Sequence, residues 1–350
     1  MLAELLAETF GDVWGPLRLL TSITVLSVVG VLFASAASLF LLPKLAHYAT
    51  RDKGRNFAHG AEASVGKPLG VGIFINLFFA VVVLLVAPIN MQVYLCVLGV
   101  LAASAVGFAD DVKPGGFSEL TLGLSDLLLS LFVCVVVLWG QPTVIWLPFT
   151  SEQIELPFWA GVAIYTAVIW VSVNALNCND GVDGLSGMLS LMTLMALGFI
   201  LYSAVGNTEN ADYLLIPFNP DAPTWVIVTS IMCGAILGYL WHNAPPSAML
   251  MGDAGSRPIG LFIGICIVVT GNPMIILFVA LMILVNGVTG LAKVALIRVF
   301  KVRVFKSIAF PLHDHVRRKL EWSNSQVLIR FILLHFVTLA FLVILLLKIR

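Results

Sequence analysis

The sequence predicts an all-α, polytopic membrane protein: a bundle of about ten transmembrane helices with its polar site gathered on one face. Three observations lead there. Of 350 residues, 60% are apolar and 11% charged, with mean hydropathy +1.02, whereas a soluble domain carries about 25% charged residues. The apolar residues run in stretches of about 17–25, enough for a helix to cross a ~30 Å hydrocarbon core, without the alternation of membrane barrel strands. The basic residues, finally, concentrate in every second connection. No strong internal repeat or low-complexity segment divides the chain, so residues 1–350 are expected to form one integral membrane domain. Net charge is zero and says nothing about partners.

Taken in order, "MLAELLAETFGDVWGP" has neither a basic n-region nor a small-residue cleavage site. It is expected to be a short helix lying at the interface rather than a secretory signal. Ten spans follow, at roughly 18–43, 68–88, 91–108, 120–139, 158–176, 184–203, 224–242, 258–271, 274–298 and 326–347. The connections after spans 2, 4, 6 and 8 contain no Lys or Arg. Those after spans 1, 3, 5, 7 and 9 hold Lys44, Arg51, Lys53, Arg55, Lys67, Lys113, Arg257, Lys301, Arg303, Lys306, Arg317, Arg318 and Lys319. The positive-inside rule places these connections in the cytoplasm and both termini outside. On the external side, "TVIWLPF" and "IELPF" are suited to a small β-hairpin. The five cysteines, Cys96, Cys134, Cys178, Cys233 and Cys266, show no metal or redox spacing and are read as small buried residues.

Four polar stretches interrupt the apolar pattern: "GFADDVK" (107–113), "NALNCNDGVDGL" (174–185), "HNAPPSAMLMGDAGS" (242–256) and "PLHDH" (311–315). Each follows an odd-numbered span, so all four reach the cytoplasmic face. Asp110 and Asp111 repel each other at a helix end unless they share a cation or proton; a solvated helix terminus is the ordinary alternative. Asn174 and Asn177 lie one helical turn apart, as do Asp180 and Asp183. Amides there can bind phosphate, sugar or base, and carboxylates can hold a hard cation or a ligand hydroxyl; helix capping is the alternative. Asp253 stands among small residues with Ser256 close behind, where a plain turn would also fit, and Asn243 can reach the same basin. A pool rich in carboxylate and poor in Cys favours Mg²⁺ or Mn²⁺ over zinc. With Lys and Arg around it, this points to phosphoryl transfer involving a membrane lipid. Asp126, near the start of the fourth span, is expected to be functional or paired, with no partner legible.

Read in order, the spans, "DDVK", "NALNCNDGVDGL", "GDAGS" and the His-bearing last loop resemble the polyprenyl-phosphate N-acetylhexosamine-1-phosphate transferases over most of the chain. "LGYLWHNAPPSAMLMGDAGS" and "PLHDHVRRKLEWSNSQVLIRF", leading into a last span that ends near "LKIR", look most like the bacterial phospho-N-acetylmuramoyl-pentapeptide transferases. The resemblance implies transfer from UDP-N-acetylmuramoyl-pentapeptide to undecaprenyl phosphate with Mg²⁺, giving lipid I and UMP at the bacterial inner membrane. It implies that Asp110 contacts the lipid phosphate with Asp111 beside it, and that Asp253 binds Mg²⁺. Asn177, Asp180, Asp183 and Asn243 would line the nucleotide and sugar pocket; Asn174 and Lys67 are further candidate substrate contacts of this chain. Ser256 and His313 would support the pyrophosphate end, with His315 a second polar contact or loop support. Expected partners are the two substrates, membrane lipids and a second copy in a homodimer, with no nucleic acid. The chain departs from the family pattern at Asp314, which stands in place of the middle of three consecutive histidines, and at "GKPLGVG" (66–72), which lacks two usual threonines and gains Lys67. Asp314 is expected to turn toward the basic residues of its loop, and Arg317, Arg318 and Lys319 read as membrane-surface charge.

The nearest rival is a sister enzyme that uses UDP-N-acetylglucosamine. A proton-coupled transporter would instead need charges near mid-membrane in several spans, and an inactive scaffold would need the altered histidine loop to have abolished activity.

Overall fold

The computed structural model describes residues 2–54, 64–88, 90–147, 152–301 and 308–348. Helix α1 (Leu2–Phe10) and a 3₁₀ turn (Gly15–Thr21) lead into α2 (Ile23–Leu45). The short pair β1 (Thr50–Arg51) and β2 (Pro68–Leu69) precedes α3 (Gly72–Val86), α4 (Met91–Val112) and α5 (Glu119–Leu138). The expected hairpin is present as β3 (Thr143–Trp146) and β4 (Gln153–Leu156), antiparallel with Thr143 opposite Leu156. Then come α6 (Phe158–Asn179), α7 (Leu185–Ile200, prolonged by a π turn to Val205), α8 (Thr208–Tyr213) and α9 (Ala222–Asn243). The chain closes with α10 (Asp253–Val269), α11 (Ile275–Val279), α12 (Leu281–Phe300), α13 (Leu312–Lys319) and α14 (Asn324–Lys348).

The protein is thus a polytopic helical membrane protein, and every expected span has a helical counterpart. Among the described residues, seven helices are long and apolar enough to cross a membrane. Three spans differ from expectation. Helix α3 begins at Gly72 rather than near 68 and has 15 residues, and α10 begins at Asp253 rather than near 258 and has 17; both fall short of the ~20 needed to cross alone. The ninth span breaks at Ala280 (φ −124°, ψ 22°) into α11 and α12. A second small sheet was not expected: β1 pairs antiparallel with β2, and Leu69 bridges to Leu250. Arg55, Arg303 and Lys306 lie outside the described residues.

Helix α10 is buried along its whole length and packs on α3, α4, α5, α6, α7 and α9. Apolar burial drives helix association weakly in lipid, so close backbone approach between small residues matters more. A Cβ on Gly72 of α3 would lie 2.1 Å from the Gly255 nitrogen, and one on Gly107 of α4 would lie 2.2 Å from the Asp253 carbonyl oxygen. These two contacts seat the start of α10 against α3 and α4. Inside α10, Pro258 has no N–H to donate to the carbonyl of Ala254, four residues earlier. Two buried polar side chains satisfy that carbonyl instead: Ser104 Oγ donates to it at 2.7 Å and Asn76 Nδ2 at 3.2 Å. The four cysteines Cys96, Cys134, Cys233 and Cys266 are buried, Cys178 is half-buried, and all are free thiols.

Candidate active site

Chain reversal brings the C-terminal ends of α4, α6 and α9, the N-terminal ends of α7 and α10, and helix α13 to the same end of the bundle. Three carboxylates converge there: ligand atoms of Asp110, Asp111 and Asp253 all lie within 4.8 Å of one another. Each acid is held differently. Asp111 Oδ1 accepts from the Asp253 N–H at 3.1 Å and its Oδ2 from the Ala254 N–H at 3.0 Å. It therefore caps α10 from another helix, where a negative charge meets the positive end of the helix dipole. The residue at the capping position itself is Gly252, at φ +66°, and a Cβ there would sit 2.4 Å from Asp111 Oδ2; only glycine combines that conformation with that space. Asp110 Oδ1 accepts from the Phe117 N–H at 2.5 Å, which ties it to the loop following α4.

Asp253 is the most enclosed of the three. Its Oδ1 accepts from Asn177 Nδ2 at 2.9 Å and its Oδ2 from Arg257 Nε at 2.8 Å. Asn177 Nδ2 also donates to Ser256 Oγ at 3.0 Å, and that hydroxyl donates to the Gly252 carbonyl at 3.0 Å. Arg257 Nη1 continues to Asp126 Oδ2 on α5, which supplies the partner the sequence left unnamed. Arg257 thereby departs from expectation: it is a buried residue of α10, not a surface charge of a connecting loop. The helix starts five residues earlier than the apolar run suggests, so Arg257 lies inside it.

A second polar group adjoins along the "NCNDGVDG" turn. Asp180 Oδ1 accepts from Ser186 Oγ at 2.6 Å, and Asp183 Oδ2 from the Ser247 N–H at 3.0 Å. Lys67 Nζ donates to Ser247 Oγ at 3.0 Å and lies 3.8 Å from Asp183 Oδ2. Asn243 is buried, with its amide spent on backbone: Oδ1 accepts from the Gly184 N–H at 2.8 Å and Nδ2 donates to the Met249 carbonyl at 2.8 Å. Asn174 Nδ2 donates to the Trp170 carbonyl one turn back in its own helix at 2.9 Å.

His313 is buried against the same turn, where its Nε2 lies 2.5 Å from the place a Gly181 Cβ would take. Its backbone N–H donates to Asn286 Oδ1 at 2.9 Å, and Asn286 Nδ2 faces its Nδ1 at 3.1 Å. With Nδ1 accepting, the neutral ring carries its proton on Nε2, facing the turn. Burial lowers the His313 pKa from 6.5 to about 4, outweighing the upward push of Asp314. Asp314 Oδ1 meets Arg317 at 3.2 Å, in the direction expected, and lies 3.8 Å from His313 Nε2. Arg317 is buried, which corrects its reading as surface charge, while Arg318 and Lys319 are exposed. His315 Nδ1 accepts from the Ala309 N–H at 3.2 Å, a loop support. Asn179 and Asn286 escaped notice; Asn286 Nδ2 donates to Asn179 Oδ1 at 2.6 Å and so joins α12 to α6. A buried amide within an apolar run was the signal for Asn286.

An all-oxygen set of three carboxylates with a neighbouring amide suits a hard divalent cation and offers zinc no thiolate or imidazole. A cavity of about 150 Å³ at the other end of the bundle, beside β3 and the start of α9, is lined by none of these residues.

Comparison with known proteins bears on this arrangement. The pattern of glycosyl transferase family 4 matches residues 93–272, a stretch that contains all three acids but neither Lys67 nor His313. A protein of Treponema pallidum strain Nichols is 39% identical over 330 residues, covering 92% of this chain and 89% of its own. It is named phospho-N-acetylmuramoyl-pentapeptide-transferase. One of the same name from Helicobacter pylori strain J99 is 28% identical, over 87% of this chain and 88% of its own.

Proposed function

The chain belongs to glycosyl transferase family 4 and groups with its phospho-N-acetylmuramoyl-pentapeptide transferases, and from that membership we infer that it makes lipid I. The donor in this reading is UDP-N-acetylmuramoyl-pentapeptide, the acceptor undecaprenyl phosphate and the second product UMP. The observation that carries it is the convergence of Asp110, Asp111 and Asp253 at one end of a membrane bundle, where a lipid phosphate and a soluble nucleotide can meet. The acidic end faces the cytoplasm, on the side the positive-inside rule favours.

The bond that forms joins an oxygen of the lipid phosphate to the sugar-bearing phosphorus. The bond that breaks joins that phosphorus to the bridging oxygen of the diphosphate, and UMP leaves with the oxygen and the electron pair of the broken bond. A phosphomonoester with second pKa near ~6 is already largely dianionic at neutral pH, so the main demand is to bring two polyanions together. Asp253, with Asp110 and Asp111 beside it, would hold Mg²⁺, which neutralises diphosphate charge and stabilises that developing on the leaving UMP. Asp110 accepts whatever proton the attacking phosphate retains. Neutral His313 offers an Nε2 proton toward the Gly181 turn, and Asp180, Asp183 and Lys67 flank it where the nucleotide and sugar bind. A direct displacement inverts configuration at the transferred phosphorus; attack by Asp110 itself, through a phosphoryl-enzyme, retains it.

The test is UMP release by the purified full chain with undecaprenyl phosphate. It compares UDP-N-acetylmuramoyl-pentapeptide with UDP-N-acetylglucosamine, each with Mg²⁺ and with EDTA. Release is expected only from the muramoyl donor and only with the cation. Release confined to UDP-N-acetylglucosamine would reject the donor assignment, and undiminished turnover in EDTA would reject the metal.

A further inference from the structure

Beneath the three acids lies a charge pair that the reaction as described does not use. Arg257 and Asp126 are 5% and 3% exposed, and they sit 131 positions apart in sequence on α10 and α5. Charges at this depth are costly unless paired, and replacing such a pair by apolar side chains is often neutral for stability. Stability alone therefore gives the pair no purpose. What distinguishes it is where the guanidinium's remaining nitrogens go. Nε donates to Asp253 Oδ2 at 2.8 Å, and Nη2 lies 3.5 Å from Asn177 Oδ1, the amide whose own Nδ2 donates to Asp253 Oδ1 at 2.9 Å. One planar cation thus fixes Asp253 directly and through Asn177, as its rigid fork of donors allows.

A guanidinium beside a divalent-cation site has an evident cost, since it repels the ion and draws on the charge of the carboxylate that should bind it. Asp126 removes that cost. The three acids bring three negative charges; Arg257 adds one positive and Asp126 one negative, so the pair contributes zero. We propose that Arg257 is a positioning residue that locks the Asp253 carboxylate for a divalent cation. Asp126 is the counter-ion that lets it do so without discharging the site. This rests on the metal reading given above.

The experiment measures Mn²⁺ binding by electron paramagnetic resonance on the purified full chain in detergent, beside its thermal melting and its kcat and KM. The variants are Asp126→Asn, Arg257→Lys and the double change Asp126→Leu with Arg257→Met. The double variant is expected to melt close to wild type yet bind Mn²⁺ at least threefold more weakly, with kcat reduced about tenfold and donor KM nearly unchanged. Asp126→Asn leaves the arginine uncompensated and is expected to weaken Mn²⁺ about tenfold. Arg257→Lys keeps the charge but not the fork, and is expected to weaken Mn²⁺ less than the double variant does. Wild-type Mn²⁺ affinity in the double variant would overturn the proposal and reduce the pair to packing. Should the double variant not fold, unchanged Mn²⁺ affinity in Asp126→Asn overturns it equally. Wild type that binds no Mn²⁺ rejects the metal site itself, and this inference with it.

Discussion

Asp110 and Asp111 are neighbours in sequence but hold different partners, and they should fail differently. Asp111 caps α10 with both oxygens; a lost cap costs about 1 kcal/mol, and here the cap also seats Asp253. Asp111→Ala is expected to lower both melting temperature and turnover. Asp110 accepts from one loop N–H, and Asp110→Asn should cut turnover by about 10²–10⁴ while leaving melting within a degree or two. Equal melting losses in the two variants would contradict this division. His313 makes a prediction about pH. The folded protein protonates it only near pH 4 because burial disfavours the charged ring, whereas the unfolded chain protonates it near ~6.5. Between those values the unfolded state binds more protons, so stability falls as pH drops from 6.5 toward 4. At pH 5 the loss is roughly 2 kcal/mol. His313→Gln should flatten melting temperature against pH in that window; an unchanged slope would show that other groups carry it. Of these residue roles, the sequence offers the acids and the histidine as candidates. It does not tell the carboxylate that caps α10 from the one tied to the loop after α4, because the difference lies in which backbone N–H groups each one meets.

At the scale of elements, α10 is a helix with a proline inside it, repaired from two neighbours. Asn76 and Ser104 supply the Ala254 carbonyl with the donors that Pro258 lacks. Removing both, as Asn76→Ala with Ser104→Ala, orphans a buried carbonyl and should cost about 1–3 kcal/mol. Adding Pro258→Ala restores a backbone donor and should recover much of that loss. Melting of the triple variant against the double checks it, and no recovery would place the cost in packing instead. The same helix explains where sequence reading misjudged boundaries. "GDAGSRP" looks like a loop because it is polar and glycine-rich, yet it is helical from Asp253 onward. Asp111 caps them from α4, and Gly72 and Gly107 let α3 and α4 close around them. An intrahelical period cannot register a cap donated from 142 residues away. Arg257 reads as a loop residue, and Asp126 as unpartnered, for that reason.

On the whole molecule, alternating helix direction sends the acids, the Asn-rich turn and α13 to one end, and the β3–β4 hairpin, α8 and the cavity to the other. The charge bias of the connections makes a prediction about which end faces the cytoplasm. Four of the five native cysteines are buried and Cys178 is half-buried at the acidic end, so introduced ones report position with little background. A cysteine at exposed Glu209 should react with a membrane-impermeant maleimide in intact cells, and one at exposed Lys319 only after permeabilisation. The reverse pattern would invert the topology.

The sequence alone determined the class of molecule, the ten apolar segments and the four polar stretches between them, because span length and charge bias are properties of composition along the chain. It also offered the acids, amides and histidine as candidates, since polar groups at the ends of apolar runs stand out against a lipid-facing background. Tertiary structure decided their division of labour. That Asp111 caps a distant helix, that Arg257 is buried rather than a surface charge, and what Asp126 is paired with all depend on contacts between helices. Those contacts span separations of 131 and 142 residues, and no local periodicity reaches that far.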